Sequence, residues 1–320
     1  MNIGLPRMKQ ERGVPLWRAP FGYIMVRVSM VLAVVMVLAL ALTGCKDEAS
    51  APPPEFRNAP APPIWELRSA NGEHGGWLLG TIHSLPDGVE WRSKPVERAI
   101  EQAEGLVVEA KGITDKDRHA MIFAHMSVTP GLPPLNQRGD RGQIDAALAH
   151  QDMKAADFTA TETWAAALML SGAGGYGSSA NGVDRALLET FAPVQTRELE
   201  GVEGQLRIFD ELPENTQREL LDLAVKSALA GNSARKADAV AWYRGDMDGL
   251  AASLTRDLGS RPALRAALVT RRNQQWASTI EALLAEHDAL LIAVGAAHMA
   301  GPGNLLAELE TRGIAARRIR

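Results

Sequence analysis

Hydrophobic and polar positions along this 320-residue chain predict strands and helices that alternate near both ends of the sequence. Short apolar or alternating runs, which are typical of strands, lie before and after a long central region. The predicted strands comprise residues 64–67, 77–80, 106–108, 194–199, 290–294 and 314–319.

Apolar residues at helical spacing predict helices between these strands. They comprise residues 94–104, 115–127, 144–150, 161–170, 183–190 and 304–311. From residue 205 to 285 the pattern is almost continuously helical, with breaks near Pro213, Gly231, Gly259 and Pro262. These elements indicate an α/β fold, α+β in detail. A central, mostly parallel sheet is flanked by helices, and a large helical insertion separates the N- and C-terminal strand segments.

The N-terminal residues have the pattern of a secretory signal. Residues 28–42 are apolar apart from Ser29, follow the basic Arg27 and lead into Leu-Thr-Gly before Cys45. Such a run is too short and wrongly flanked for a stable membrane span. Its end resembles the bacterial lipobox, which predicts cleavage before Cys45 and lipidation of the new N-terminus. The alternative is an ordinary signal peptide, or a membrane anchor, with a chance cysteine.

Composition divides the chain into a signal, an Ala/Pro-rich tether and a folded domain, at residues 1–44, 45–63 and 64–320. Met25 already begins a complete basic leader, so residues 1–24 are a candidate extension upstream of the true start. Removal of the signal, which holds five basic side chains and one acidic, changes the formal net charge from −4 to −8. This charge argues against nucleic acid as a partner and leaves membrane attachment to the lipid at Cys45. The single cysteine excludes an intramolecular disulfide.

Three predicted strand ends carry polar side chains. His83 and His298 each come three residues after a glycine that ends an apolar run, and Glu109 directly follows residues 106–108. Because ligands of open α/β sheets bind beyond the carboxyl ends of strands, we expect these side chains to lie close together. Two imidazoles and a carboxylate are a common ligand set for a divalent metal ion that activates water for hydrolysis. Glu200, just past another predicted strand, is a candidate fourth ligand or general base.

Each of these residues also has a purely structural interpretation. A histidine in a strand-to-loop turn often only caps backbone groups, and Glu109 can do the same for the following turn. Glu200 can reflect simple alternation in a Glu-Leu-Glu strand. The remaining histidines fall in predicted turns or on solvated helix faces, and we assign no site role to His74, His119, His125, His150 and His287.

Several short phrases, in a fixed order over residues 65–320, resemble the TraB/GumN family, which is related to the Tiki proteases. The phrases include Gly80-Thr81-Ile82-His83, Val107-Val108-Glu109, Gly182-Val183-Asp184-Arg185, Leu199-Glu200, Arg272-Asn273 and Gly295-Ala296-Ala297-His298. The resemblance implies a metal-dependent hydrolase-like core whose site contains the paired Gly-x-x-His motifs and a glutamate. Tiki members are metal-dependent proteases outside the cell, TraB and PrgY members are tied to shutting down a peptide pheromone, and GumN to a polysaccharide gene cluster.

The resemblance also implies residue roles. The metal ligands would be His83, Glu109 and His298, holding Mn, Co or Zn. The candidate catalytic or orienting residues are Glu109, Glu200, Asp184, Arg272 and Asn273. Two of these keep structural alternatives, because Asp184 can cap the helix that follows it and Arg272 can be a surface ion-pair partner. Trp276, at helical spacing from Ile280, is assigned to the core.

Three functional hypotheses follow. The first is an envelope lipoprotein that acts as a metallohydrolase on peptide bonds, facing the periplasm from the outer membrane, or soluble in the periplasm or secreted. The second is a module that binds a peptide or a metal ion in the same pocket without turnover, and the third is a structural envelope role. The sequence has no H-E-x-x-H helix and no phosphate loop. The Gly/Ser-rich residues 172–182 are interpreted as a flexible connection or lid.

Overall fold

A computed structural model describes residues 51–69, 74–171, 176–287 and 289–320. The predicted signal, the lipidation site at Cys45 and the turn predicted at Asn71-Gly72 lie outside the described residues, as does part of the 172–182 loop. No helix in the described ranges is long and apolar enough to cross a membrane.

The described residues form one mixed sheet of six strands. The strands are β1 (Ile64–Arg68), β2 (His74–Thr81), β3 (Gly105–Val108), β4 (Thr196–Glu198), β5 (Leu290–Gly295) and β6 (Ala315–Ile319). Their order across the sheet is β4-β3-β5-β2-β1-β6. Strands β2 to β5 run parallel to one another, whereas β1 is antiparallel to both β2 and β6. The predicted α/β class with a mostly parallel sheet is therefore confirmed.

Twelve α-helices surround the sheet within the described ranges. They are α1 (Lys94–Gln102), α2 (Lys116–Met126), α3 (Arg141–Ala149), α4 (Thr163–Ser171), α5 (Val183–Thr190), α6 (Gly201–Asp210), α7 (Glu214–Ala230), α8 (Asn232–Arg244), α9 (Met247–Leu258), α10 (Pro262–Arg265), α11 (Arg271–Glu286) and α12 (Leu305–Glu310). One π-helical turn, Ala266–Thr270, joins α10 to α11. The predicted breaks at Pro213 and Gly231 are confirmed. A further break at Gly245 was not predicted, and its φ of 64° suits glycine at a helix end.

The sheet is buried on both faces, which explains the uninterrupted apolar runs of its parallel strands. On one face Leu79 and Leu291 pack in a cluster with residues of α1, α5 and α8, among them the fully buried Trp242. On the other face Leu78 and Ile292 pack with residues of α11 and α12. A third cluster, built mainly from α3, α4 and α7, gives the helical middle its own core.

Part of the Ala/Pro-rich segment 45–63 packs against the domain. Phe56 is buried and meets the Tyr243 ring edge-on, with ring centroids 5.0 Å apart. The Tyr243 hydroxyl lies within hydrogen-bond distance of the carbonyl oxygens of Phe56 and Asn58, at 2.9 and 2.6 Å, and its single hydrogen is shared between them. The backbone N–H of Gly80 donates to the Pro63 carbonyl at 2.8 Å. These contacts bring the N-terminal segment to the carboxyl end of β2.

Candidate functional site

The carboxyl ends of β2, β3, β4 and β5 lie at one edge of the sheet because these strands are parallel. In the strand register Thr81 pairs with Gly295 and Val108 with Ala293, so the chain leaves these three strands at similar levels. The sheet therefore delivers four of the predicted side chains to one edge: His83, Glu109, Glu200 and His298.

Arg272, from the first turn of α11, joins two of these strand ends. Its Nε and Nη2 donate to the two carboxylate oxygens of Glu200 at 2.8 and 2.9 Å, and Nη2 also donates to Glu109 Oε2 at 2.7 Å. The side chains of Arg272, Glu109 and Glu200 are only 14%, 11% and 9% exposed, so the cluster is a buried ion-pair network. The guanidinium also lies 4.4 Å from the centre of the Trp276 ring, which adds a cation–π contact.

Glu109 is held in its ionised form by its neighbours. Burial alone would raise its pKa, but the charges of Arg272 and His83 and the Gly295 hydrogen bond outweigh burial and lower the pKa below its ordinary value. The backbone N–H of Gly295 donates to Oε1 at 2.8 Å, and Gln205 Nε2 donates to Oε2 at 3.0 Å. The carboxylate thus ties β3 to the ends of β5 and α6.

His298 is a buried, neutral imidazole. Its Nε2 lies 3.2 Å from Arg272 Nη1, and its Nδ1 lies 2.7 Å from Asn273 Oδ1. Because a guanidinium only donates, these partners assign the proton to Nδ1 and leave Nε2 as the acceptor. Burial, assisted by the nearby Arg272 charge, lowers the pKa of His298 to about 3. Asn273 is itself fully buried and donates to the Gly303 carbonyl at 3.1 Å.

His83 lies in a different environment, paired with Asp184 at the start of α5. Its Nδ1 is 2.8 Å from Asp184 Oδ2, while the Thr81 hydroxyl donates to Asp184 Oδ1 at 2.6 Å. The Asp184 side chain is only 10% exposed, whereas that of His83 is 76% exposed. With Nδ1 turned to the carboxylate, the Nε2 end of the ring is open to water. The Asp184 charge and hydrogen bond raise the pKa of His83 to about 9, although water at the open side of the ring screens this attraction.

Close backbone packing fixes the His83–Asp184 pair. The Val183 N–H donates to the Ile82 carbonyl at 3.0 Å, which joins the start of α5 to the end of β2. A Cβ atom on Gly182 would lie 2.4 Å from the His83 carbonyl oxygen, so this approach requires glycine.

A cavity of about 360 Å³ opens beside His83. It is lined by His83, Val108, Glu109, Ala110, Ser179, Gly182, Asp184, Arg185 and Gln205. Its volume lies within the range of ligand pockets, and the two predicted strand-end residues His83 and Glu109 share its wall.

The model of the TraB/PrgY/gumN family matches residues 63–318. The chain belongs to the TraB/PrgY/gumN family. No curated protein and no solved structure matches it. The family match spans all six strands apart from the last residue of β6, so this edge of the sheet lies within the matched domain.

The metal ion that the family resemblance implies does not fit these contacts as they stand. A ligand needs a free lone pair, but His298 Nε2 faces Arg272 Nη1, and Glu109 Oε2 accepts from both Arg272 and Gln205. In the part of the chain that the structure describes, no group of three or more His, Cys, Asp or Glu side chains is placed to hold a metal ion. Binding at His298 and Glu109 would require Arg272 to leave both, and the ion remains a prediction from the sequence.

The site also contains residues to which the sequence pattern assigned no role. Thr81 orients Asp184, Gln205 contacts Glu109, and Arg185 lines the cavity. Trp276 is buried, as predicted for a core residue, and in addition its Nε1 donates to Glu200 Oε1 at 2.9 Å. Thr81 and Arg185 stand in the same phrases as His83 and Asp184, which is the one signal that could have singled them out.

Proposed function

We propose that this family member is a hydrolase that cleaves peptide bonds in the cavity beside His83. The observation that carries the proposal is the His83–Asp184 pair, in which a buried carboxylate orients an imidazole whose other nitrogen is open to the cavity. This is the arrangement that general acid–base catalysis requires. The predicted signal and lipobox extend the proposal to a lipoprotein of the bacterial cell envelope, anchored at Cys45.

The chemistry follows from the two nitrogens of His83. In the neutral form of His83, whose fraction grows as pH rises towards its pKa of about 9, a water molecule hydrogen-bonded to Nε2 attacks the peptide carbonyl carbon while Nε2 takes one of its protons. Asp184, bonded to Nδ1–H, stabilises the resulting imidazolium. The imidazolium then gives this proton to the leaving nitrogen as the C–N bond breaks. The products are a carboxylic acid and an amine, and His83 returns to its neutral form.

The Arg272 cluster has a supporting role in this proposal. Arg272 neutralises the charges of Glu109 and Glu200 and so allows two buried carboxylates to lie close together at one edge of the sheet. It also orients neutral His298 through Nε2. The divalent ion, Mn, Co or Zn, is a separate prediction, and none of the steps above depends on it.

A second candidate function is capture of a peptide without turnover. Glu109 and Asp184, the acidic side chains that line the cavity, are already paired, whereas the side chain of His83 is 76% exposed. A cavity with an open imidazole suits binding as well as catalysis.

Incubation of the purified protein with a peptide library, followed by mass spectrometry, tests the proposal. Wild-type protein should generate cleavage products, and His83→Gln should reduce their rate of formation by about a hundredfold or more. His150→Gln, at an exposed histidine on the end of α3, is the matched control and should cleave like the wild type. Peptide binding without products would favour capture. A parallel incubation with chelator, then with added Mn, Co or Zn, tests the metal prediction separately.

A further inference from the structure

The acidic side chains of the cavity beside His83 are already paired. Asp184 is bonded to Thr81 and His83, and Glu109 accepts hydrogen bonds from Gly295, Gln205 and Arg272. A ligand entering the cavity therefore meets few free acceptors. The charged side chain that remains to be explained in the wall is Arg185.

Arg185 has weak interactions for a largely buried guanidinium. Its side chain is 26% exposed, and its ion-pair partner is Glu189, one turn further along α5, at 3.9 Å between Nη1 and Oε1. That distance is too long for a hydrogen bond, and Glu189 is 66% exposed. Exposed pairs of this kind contribute little to stability. Among the described residues, none accepts a hydrogen bond from the five N–H groups of Arg185.

The position of Arg185 relative to His83 is fixed by the backbone. It follows Asp184 directly in α5, and Asp184 lies 2.8 Å from His83 Nδ1. The Gly182 contact and the Val183 hydrogen bond hold this turn of α5 against the end of β2. A guanidinium that no described residue hydrogen-bonds is thus held on the same cavity wall as the open imidazole.

We propose that Arg185 binds a carboxylate of the substrate and so determines which peptides the cavity accepts. This inference rests on the proposed function, because it names the substrate class of the same site. A guanidinium presents two parallel N–H donors that match a carboxylate. A substrate carboxylate in direct contact therefore binds Arg185 more strongly than Glu189 does at 3.9 Å. The carboxylate belongs either to the C-terminus of the peptide or to an Asp or Glu side chain near the cleaved bond.

Matched peptides separate these two sources. One pair differs only in a C-terminal acid or amide, and a second pair, amidated at the C-terminus, differs only in Asp or Asn. Their binding is measured by calorimetry on His83→Gln, which removes the proposed base, and their cleavage is measured on the wild type.

We expect one acidic peptide to bind about ten- to a hundredfold more tightly than its neutral partner, as for charge-assisted hydrogen bonds at a partly buried site. Adding Arg185→Gln to His83→Gln should abolish this preference in binding. In cleavage assays, Arg185→Gln alone should raise KM for the acidic peptide with little change in kcat. Arg185→Lys should restore part of the preference. Glu189→Gln is the matched control and should keep it.

Equal binding of the acidic and neutral members of both pairs would overturn the proposal, as would a preference that survives Arg185→Gln. Acid-selective binding without products would support the role of Arg185 while contradicting the hydrolase. Cleavage with no acid preference would support the hydrolase while contradicting the role of Arg185. The two proposals can therefore fail independently.

Discussion

Replacing Arg272 with glutamine tests whether the buried ion-pair cluster holds the sheet edge together. Arg272 makes three charge-assisted hydrogen bonds to Glu109 and Glu200 and stacks on Trp276. Glutamine keeps an amide donor but removes the charge and most of these contacts. Two buried carboxylates are then left without their cation.

The expected cost is about 3–5 kcal/mol in the free energy of unfolding at pH 7, the usual penalty when one partner of a buried pair is removed. This cost is smaller than the summed energies of the three lost hydrogen bonds, because both carboxylates keep other donors. Glu109 keeps its bonds from Gly295 and Gln205, and Glu200 keeps the bond from Trp276.

The loss should depend on pH in a defined direction. Arg272 holds the pKa of Glu109 below its ordinary value, against the opposing effect of burial. This stabilisation is present above the unfolded-state pKa of about 4.3 and is lost as pH falls through the lower folded-state value. In the variant, protonation of the uncompensated Glu109 carboxylate removes part of the penalty. The difference between wild type and variant should therefore shrink as pH falls from 7 towards 4.

Urea denaturation of both proteins at pH 7 and pH 4 measures this effect. Arg207→Gln provides the matched control, because Arg207 pairs with Glu203 on the surface of α6, where the side chains are 57% and 63% exposed. That change should cost less than about 1 kcal/mol. A loss below about 1 kcal/mol for Arg272→Gln at pH 7, or an equal loss at both pH values, would refute the reasoning.

Three further predictions test other parts of the account. By calorimetry, Arg272→Gln should bind Mn, Co or Zn more tightly than the wild type, because His298 Nε2 becomes free and Glu109 Oε2 loses one of its two donors; tighter binding by the wild type would contradict this. Gly182→Ala should slow peptide cleavage and destabilise the fold by about 1–3 kcal/mol, since its Cβ would clash with the His83 carbonyl; unchanged cleavage and unfolding midpoint would argue against the tight approach. Cys45→Ser should abolish incorporation of labelled palmitate in cells; labelling that persists would exclude lipidation at Cys45.

The meeting of the strand ends is predictable from the sequence. Apolar runs that lead into a glycine and a histidine indicate buried strands, and parallel strands place the residues after their carboxyl ends at one edge of the sheet. His83, Glu109 and His298 are found at that edge. The sequence motifs, however, do not predict which other side chains lie between these three residues.

The Arg272 contacts lie beyond such reasoning. Arg272 is 163 residues from Glu109 and 72 from Glu200 along the chain, and helical spacing on α11 does not reveal which acids it meets. Trp276 is predicted as core from its spacing with Ile280, and it is buried. Its bond to Glu200, like the bond between Asp184 and His83, depends on chain segments that the fold alone brings together.

The contacts of the Ala/Pro-rich segment before β1 are also not predictable from the sequence. Alanine and proline content predicts a tether over residues 45–63, and composition carries no information about a single aromatic residue that finds a buried position. Phe56 packs against Tyr243, so the described part of this stretch around Phe56 belongs to the packed structure.

The pH dependence of peptide cleavage in wild type and Asp184→Asn tests the central claim most directly. If His83 is the base, kcat/KM for the wild type should rise with pH through a midpoint raised above the ordinary histidine value of about 6.5, towards 9. The asparagine variant should lose about a hundredfold or more in rate, and its midpoint should fall towards 6.5 because the negative partner is gone. The same midpoint in both proteins would contradict the account.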